Sequence, residues 1–214
     1  MQTMGIKERK EREKAALRKQ ILDVAVQLFR EVGYEKTTMR KIAKRIEYNP
    51  ATIYSYFKNK EEIFFELQRR AFQLFYESLR HVEEIEDPGK RLTSMGRAYL
   101  KFAIENPDDY DLMFIMRQPM QVLEEHEKWK LGEKNFELLH HTVQECIEAE
   151  ILPPEDSEAM AAMVWSSVHG LASLQIRGRF KMKQFKNEDL DFILYNAFYI
   201  FDRILLQKYA KREE

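Results

Sequence analysis

With 214 residues, 44% of them hydrophobic, the chain is long enough to bury one or two cores, which excludes disorder as its main state. Seven Gly and six Pro leave little material for hairpins, and the single cysteine, Cys146, excludes an internal disulfide and a cysteine cage for zinc. The formal net charge of −1 hides an asymmetry: residues 1–60 hold 15 Lys+Arg against 7 Asp+Glu, net +8, and residues 61–214 hold 20 against 29, net −9.

A basic head on an acidic body suits a module that attracts phosphates, although an unevenly charged surface gives the same count. Leu, Glu, Lys, Arg and Ala dominate, so an all-α chain is expected. There is no apolar run of about 18 residues and no apolar segment near the start, which predicts a soluble cytoplasmic protein with no membrane partner.

In chain order, Leu17, Ile21, Val24, Leu28 and Val32 recur at helical spacing from Ala15 to Val32, and Gly33 supplies a C-cap. Thr37 or Thr38 starts a second short helix carried by Met39, Ile42, Ala43 and Ile46; Asn49-Pro50 opens a very short third. Asn59, with Glu62 three residues on, starts a long fourth helix along Ile63, Leu67, Ala71, Leu74 and Ser78, which Asp87-Pro88-Gly89 ends. Further helices are predicted from Pro88 to about Glu105, from Asn106-Pro107 through Met116, and, after the break at Pro119, from about Val122 to Ala149. Pro153-Pro154 closes that one; Asp156 or Ser157 caps the next, to about Arg177, and the last runs from about Glu188 to Lys208, about nine helices in all.

Three short helices in about 45 residues, with a tight turn before the third, is helix-turn-helix organisation. On the third helix Ile53 and Phe57 are four apart and serve as anchors, leaving Ala51, Thr52, Ser55 and Tyr56 to face outward. Tyr54 and Thr52 carry hydroxyls for phosphate oxygens, and Thr38, Arg40, Lys41, Lys58 and Lys60 surround the helix with donors. Lys60 at a helix start opposes the helix dipole, an oddity a bound phosphate relieves. The arm Lys7, Arg9, Lys10, Arg12 and Lys14 is half neutralised on paper by Glu8, Glu11 and Glu13, so a solvated helical extension and a minor-groove arm are both open.

From about Arg18 to Leu67 the sequence resembles the tetracycline-repressor (TetR) DNA-binding domain. The resemblance is carried by Phe29, Gly33-Tyr34, Ile42-Ala43 and above all by Tyr54-x-x-Phe57-Lys-Asn-Lys60-Glu. It implies that Thr38, Tyr54 and Lys60 hold phosphates of double-stranded operator DNA while Ala51, Thr52, Ser55 and Tyr56 face base edges. Many relatives place Gly or Ser in the turn where this chain has Arg45-Ile-Glu-Tyr-Asn-Pro50, with Tyr48 read as packing. The domain boundaries expected are 1–60 for arm and DNA-binding domain and 61–214 for a ligand-binding and dimerisation domain. The resemblance implies that the helix from Asn59 to about Arg80 is the lever between them.

In the second half, Trp165-Ser-Ser-Val-His169-Gly170 and Asn106-Pro-Asp-Asp-Tyr110 resemble the C-terminal class named for its Trp, His and Gly. Aromatics and methionines can line an adaptable apolar pocket for a small effector, or fill a core. The candidates are Met95, Tyr99, Phe102, Tyr110, Met113, Phe114, Trp129, Phe136 and Trp165. His169, read as buried, and His140, read as surface-exposed, are available to orient a polar group. Ala162, Ser166, Gly170 and Ser173 permit close helix packing, and with Ile193, Ala197 and Phe201 suit a four-helix homodimer interface.

An enzyme is not expected. Asp108-Asp109-Tyr110-Asp111 lacks a second acidic cluster, no nucleophile, zinc-protease or phosphate-loop motif is present, and Cys146 has no basic neighbour on its helix. His140 and His141 are adjacent and point apart, so neither metal nor cofactor is expected. The nearer rival is a helical adaptor that binds only proteins, from which DNA binding differs by steep salt dependence.

Overall fold

The computed structural model describes residues 5–116, 130–182 and 189–206; Trp129 and the expected helix start at Val122 lie outside them. Among the described residues there are nine α-helices and no strand. They are α1 Ile6–Val32, α2 Met39–Arg45, α3 Pro50–Tyr54, α4 Lys60–Leu79, α5 Pro88–Glu105, α6 Pro107–Phe114, α7 Lys130–Glu148, α8 Ser157–Ile176 and α9 Leu190–Leu206. None of the described helices is long and apolar enough to cross a membrane.

Local side-chain chemistry starts most of these helices. The Thr38 hydroxyl accepts from the Lys41 amide at 3.2 Å, and the Asn49 and Asn59 side chains accept from the amides of Ala51 and Glu62 at 2.9 and 2.8 Å. Asp87 and Asp156 do the same for α5 and α8. Each such cap is worth about 1 kcal/mol. Helix α1 instead begins nine residues before Ala15, at Ile6, where the Gly5 amide donates to the Glu8 carboxylate at 3.1 Å.

The ends show a less expected device. Gly33 takes φ +84° after α1, a conformation open to glycine. After α2, Tyr48 N–H reaches the Ala43 carbonyl at 3.0 Å and Glu47 N–H the Lys44 carbonyl at 3.3 Å, which places Glu47 at the left-handed position of a Schellman closure with φ +60°. Glu150, φ +57°, closes α7 in the same way. A non-glycine residue there costs about 1 kcal/mol. Glu47→Gly is therefore expected to raise stability by roughly 0.5–1 kcal/mol, read as a higher midpoint in urea; a lowered midpoint would mean the glutamate side chain holds the turn.

Packing divides the chain into two units: Met1–Arg70 with Leu112–Lys128, and Ala71–Asp111 with Trp129–Glu214. The sequence boundary at Lys60 and this division differ because Ile63, Phe64 and Leu67 of α4 pack into the first core. That core also holds Ile21, Leu22, Ala25, Leu28, Phe29, Ile42, Ile53 and Phe57. The buried face of α1 is thus centred on Leu22, Ala25 and Phe29 as well as Ile21 and Leu28, and Val32 is exposed. In the second unit α5, α7, α8 and α9 surround Leu92, Val143, Cys146, Ala161 and Val164. Burial pushes the Cys146 thiol up to about 11, so it stays protonated. Gly96 of α5 lets α9 approach: a Cβ there would lie 2.5 Å from the buried Phe198 ring.

Candidate functional site

The segment that packs α3 is rigid underneath and open above. Ile53 and Phe57 are fully buried in the first core, while Ala51, Tyr54 and Ser55 are exposed and Thr52 is half-buried. Tyr54 is 54% exposed, so much of its ring and hydroxyl is open to a partner. Two positions differ from their reading in the sequence, one outward and one inward. Tyr56 is half-buried and packs against the core, because it lies beyond the end of α3 where the chain turns back; Tyr48, read as packing, is exposed. The Ser55 hydroxyl donates to the Thr52 carbonyl at 2.7 Å, fixing the last turn of α3.

The surrounding donors are held in different ways. Arg40, Lys41 and Lys58 are exposed, and the Lys41 ammonium donates to the Lys36 carbonyl at 2.7 Å. Lys60 is tied down: its ammonium donates to the Tyr34 carbonyl at 2.9 Å and lies 4.0 Å from the Tyr34 ring centre. This contact, unseen in the sequence, offsets the unfavourable position of a cation at a helix start. An ammonium has three donors, so two remain. Two acidic residues whose ion pairs were not legible either hold the first unit together. Arg45 grips Glu31 through both of its terminal nitrogens at 3.2 and 2.6 Å, holding α2 to α1. Glu66 of α4 accepts from Arg18 of α1 at 3.0 Å and from Arg69 and Arg70.

In the second unit the histidine and two of the aromatic candidates form one polar cluster. Nδ1 of His169 lies 3.0 Å from the Tyr99 hydroxyl and 2.9 Å from that of Tyr110, whose ring stacks on the imidazole. Burial, then the Arg177 charge, holds the His169 pKa below its ordinary value, which favours the neutral ring; burial raises Tyr99 and brings Tyr110 to about 12, so both keep their protons. Outward from His169 follow Trp165 and then Phe136, which stacks on His140. Trp165 and Phe136 are both exposed at their edges. His140 is corrected from exposed to half-buried, its Nε2 2.9 Å from the Ser157 hydroxyl.

Met95 and Phe102 are buried, and Phe102 packs on Phe75, which meets the Tyr99 ring edge-on. Met113 and Phe114 belong to the first unit, and Trp129 lies outside the described residues. A surface groove of about 550 Å³ lies over Leu74, His81, Arg97 and Phe102, so among the described candidates Phe102 lines it.

The helices α8 and α9 pack on each other and keep an apolar face open. On α8 it comprises Ala162, Met163, Ser166 and Leu174, with Gly170 and Ser173 half-buried among them; a Cβ on Gly170 would meet nothing. On α9 the candidates Ile193, Ala197 and Phe201 are half-buried within the protomer, and Phe201 packs on its core. The exposed stripe is Phe192, Tyr195, Tyr199, Ile200 and Ile204, one helical face at steps of three, four, one and four.

Comparison with known proteins matches residues 21–67 to a family described as bacterial regulatory proteins, tetR family, and residues 92–194 to a tetracyclin repressor-like C-terminal domain. The chain is 40% identical over 68 residues to a fatty acid metabolism regulator protein of Bacillus subtilis, covering 32% of this chain and 34% of that one. The transcriptional regulator AcrR of Shigella flexneri is 27% identical over 159 residues, 69% and 72% of the two chains. The chain spans about a third of the length of the curated relatives it matches first. A regulator of the TetR/AcrR family from Thermobifida fusca has the same fold, with a TM-score of 0.59 at 24% identity over 92% of this chain and 100% of that one.

Proposed function

The chain belongs to the TetR family of DNA-binding transcription regulators, and from that premise we propose that it is a homodimeric repressor that grips a palindromic operator through two copies of α3. The observation that carries this reading is the segment Ala51–Lys60, whose anchors Ile53 and Phe57 are fully buried while Tyr54, Ala51 and Ser55 stand free above them. In it Tyr54, Thr38, Arg40, Lys41, Lys58 and Lys60 hold phosphates, and Ala51, Thr52 and Ser55 face base edges, with the edge of Tyr56 beside them. The domains that do this work are the arm and helix-turn-helix up to Lys60 and the sensing and dimerising remainder.

Release follows when a small, largely apolar effector reaches the Trp165, His169, Tyr99 and Tyr110 cluster. A neutral imidazole and two protonated phenols orient a carbonyl or hydroxyl, and the rings take the apolar body. The effector must favour one of two conformers to act at all. Helix α4, which belongs to both units, is the element such a preference would move.

Selection of sites from a randomised duplex library at near-physiological salt tests the reading. One palindrome is expected to be enriched. Tyr54→Ala should weaken binding to every sequence by about tenfold, whereas Ser55→Ala should change which bases are preferred. Enrichment of nothing by the native chain would discard the repressor in favour of a protein-binding adaptor.

A further inference from the structure

The arm ahead of the first core is a helix exposed on all its faces. From Gly5 to Ala16 every residue is exposed, and Leu17 is the first side chain of α1 to meet the core. That leaves about 16 Å of helix projecting from the anchored part of α1, held by propagation from it and by no packing of its own.

Its charges are less neutralised than the alternation of Lys and Glu suggests. Among the described residues, Arg9 alone of the five cations has an acid partner, Glu13 at 3.1 Å. Glu8 is engaged by the Gly5 amide. Lys7, Lys10 and Lys14 lie at steps of three and four, so they share one helix face with a single acid, Glu11, four residues from Lys7 and three from Lys14. Arg18 continues that face by another turn, and its guanidinium is held over the Phe57 ring, 4.9 Å from the centre, at the close of the segment that presents Tyr54. The stripe therefore starts beside the DNA-reading segment and leads away from it in steps of about 4–6 Å along the axis.

We propose that Lys7, Lys10 and Lys14 form an additional DNA-backbone contact, taking phosphates of the duplex flanking the bases read by α3. The inference rests on the DNA-binding reading and adds a second, sequence-independent site to it. Phosphates remove the mutual repulsion of the three ammonium groups, so the same contact stabilises the arm as a helix.

The test compares native full-length protein with Lys7→Gln/Lys10→Gln/Lys14→Gln on a long mixed-sequence duplex, reading affinity across a salt series. Three fewer neutralised phosphates should make the slope of log K against log salt shallower by about 2–3 per protomer. Glu11→Gln, which removes the one acid on the lysine face of residues 6–16, should tighten binding severalfold at low salt. Amide exchange of residues 6–16 should slow when DNA is added to the native chain and not to the triple variant. A triple variant with native slope and native footprint would overturn the arm contact alone. A native chain that binds no duplex would overturn the DNA-binding reading itself, and the arm contact with it.

Discussion

Ile200→Lys/Ile204→Lys is expected to leave a folded monomer whose operator affinity has dropped by a factor on the order of 10² to 10⁴. Ile204 is 65% exposed in the protomer and Ile200 is exposed beside it, so neither substitution opens a cavity, and a cation near the C-terminal end of α9 suits the helix dipole. If the α8 and α9 faces of two chains meet, the same change places four ammonium groups in an apolar interface without counter-charges, which costs several kcal/mol. The operator loss follows because two linked reading heads bind the second half-site at high effective concentration, and a monomer does not. Light scattering at micromolar protein, with circular dichroism to verify folding, decides it. A companion, Gly170→Arg, makes the assignment of α8 independent: within the protomer a side chain there meets open space, and only a second chain would exclude it. A dimeric mass for both variants would remove this face as the interface.

Which face of α9 is exposed was not legible in the sequence for a physical reason. The segment Leu190 to Leu206 is apolar nearly all round, so helical spacing fits several stripes equally well. What selects the inward one is Phe198 seated on Gly96, a contact between residues about a hundred positions apart. Helix starts were legible because a cap is local: Thr38, Asn49, Asn59, Asp87 and Asp156 accept from amides two or three residues on. Helix ends were less so, since Glu47 and Glu150 occupy turns where glycine is the readable signal. The anchors Ile53 and Phe57 followed from a four-residue step, yet the side chain of Lys60 did not, because Tyr34 reaches it across 26 residues. The aromatic candidates of the second half were visible as a composition. Which of them surround His169 depends on how α5, α6 and α8 meet, and no periodicity encodes that.

Glu66 carries the other large expectation, and its sign is fixed by competing effects. Burial alone would raise its pKa; hydrogen bonds from Arg69 and Arg18 and their charges overrule this and hold the carboxyl at about 2. The carboxylate thus favours the folded state at every pH above the unfolded range near 4.5, and that contribution fades as pH falls from there toward 2. The arginines are partly solvated, so the full shift overstates the stability involved, and Glu66→Gln is expected to cost about 2 kcal/mol at pH 7. Because Arg18 lies on α1 and Glu66 on α4, the loss loosens the platform beneath Phe57 and the segment carrying Tyr54. Urea unfolding of native chain and variant at neutral pH and at about pH 3 separates the charge from the shape of the side chain: the gap between them should shrink by more than half at the lower pH. A gap of constant size would show that the glutamate acts by hydrogen-bond geometry which glutamine fails to copy, and the ion pair would then have no claim on the acid sensitivity of this unit.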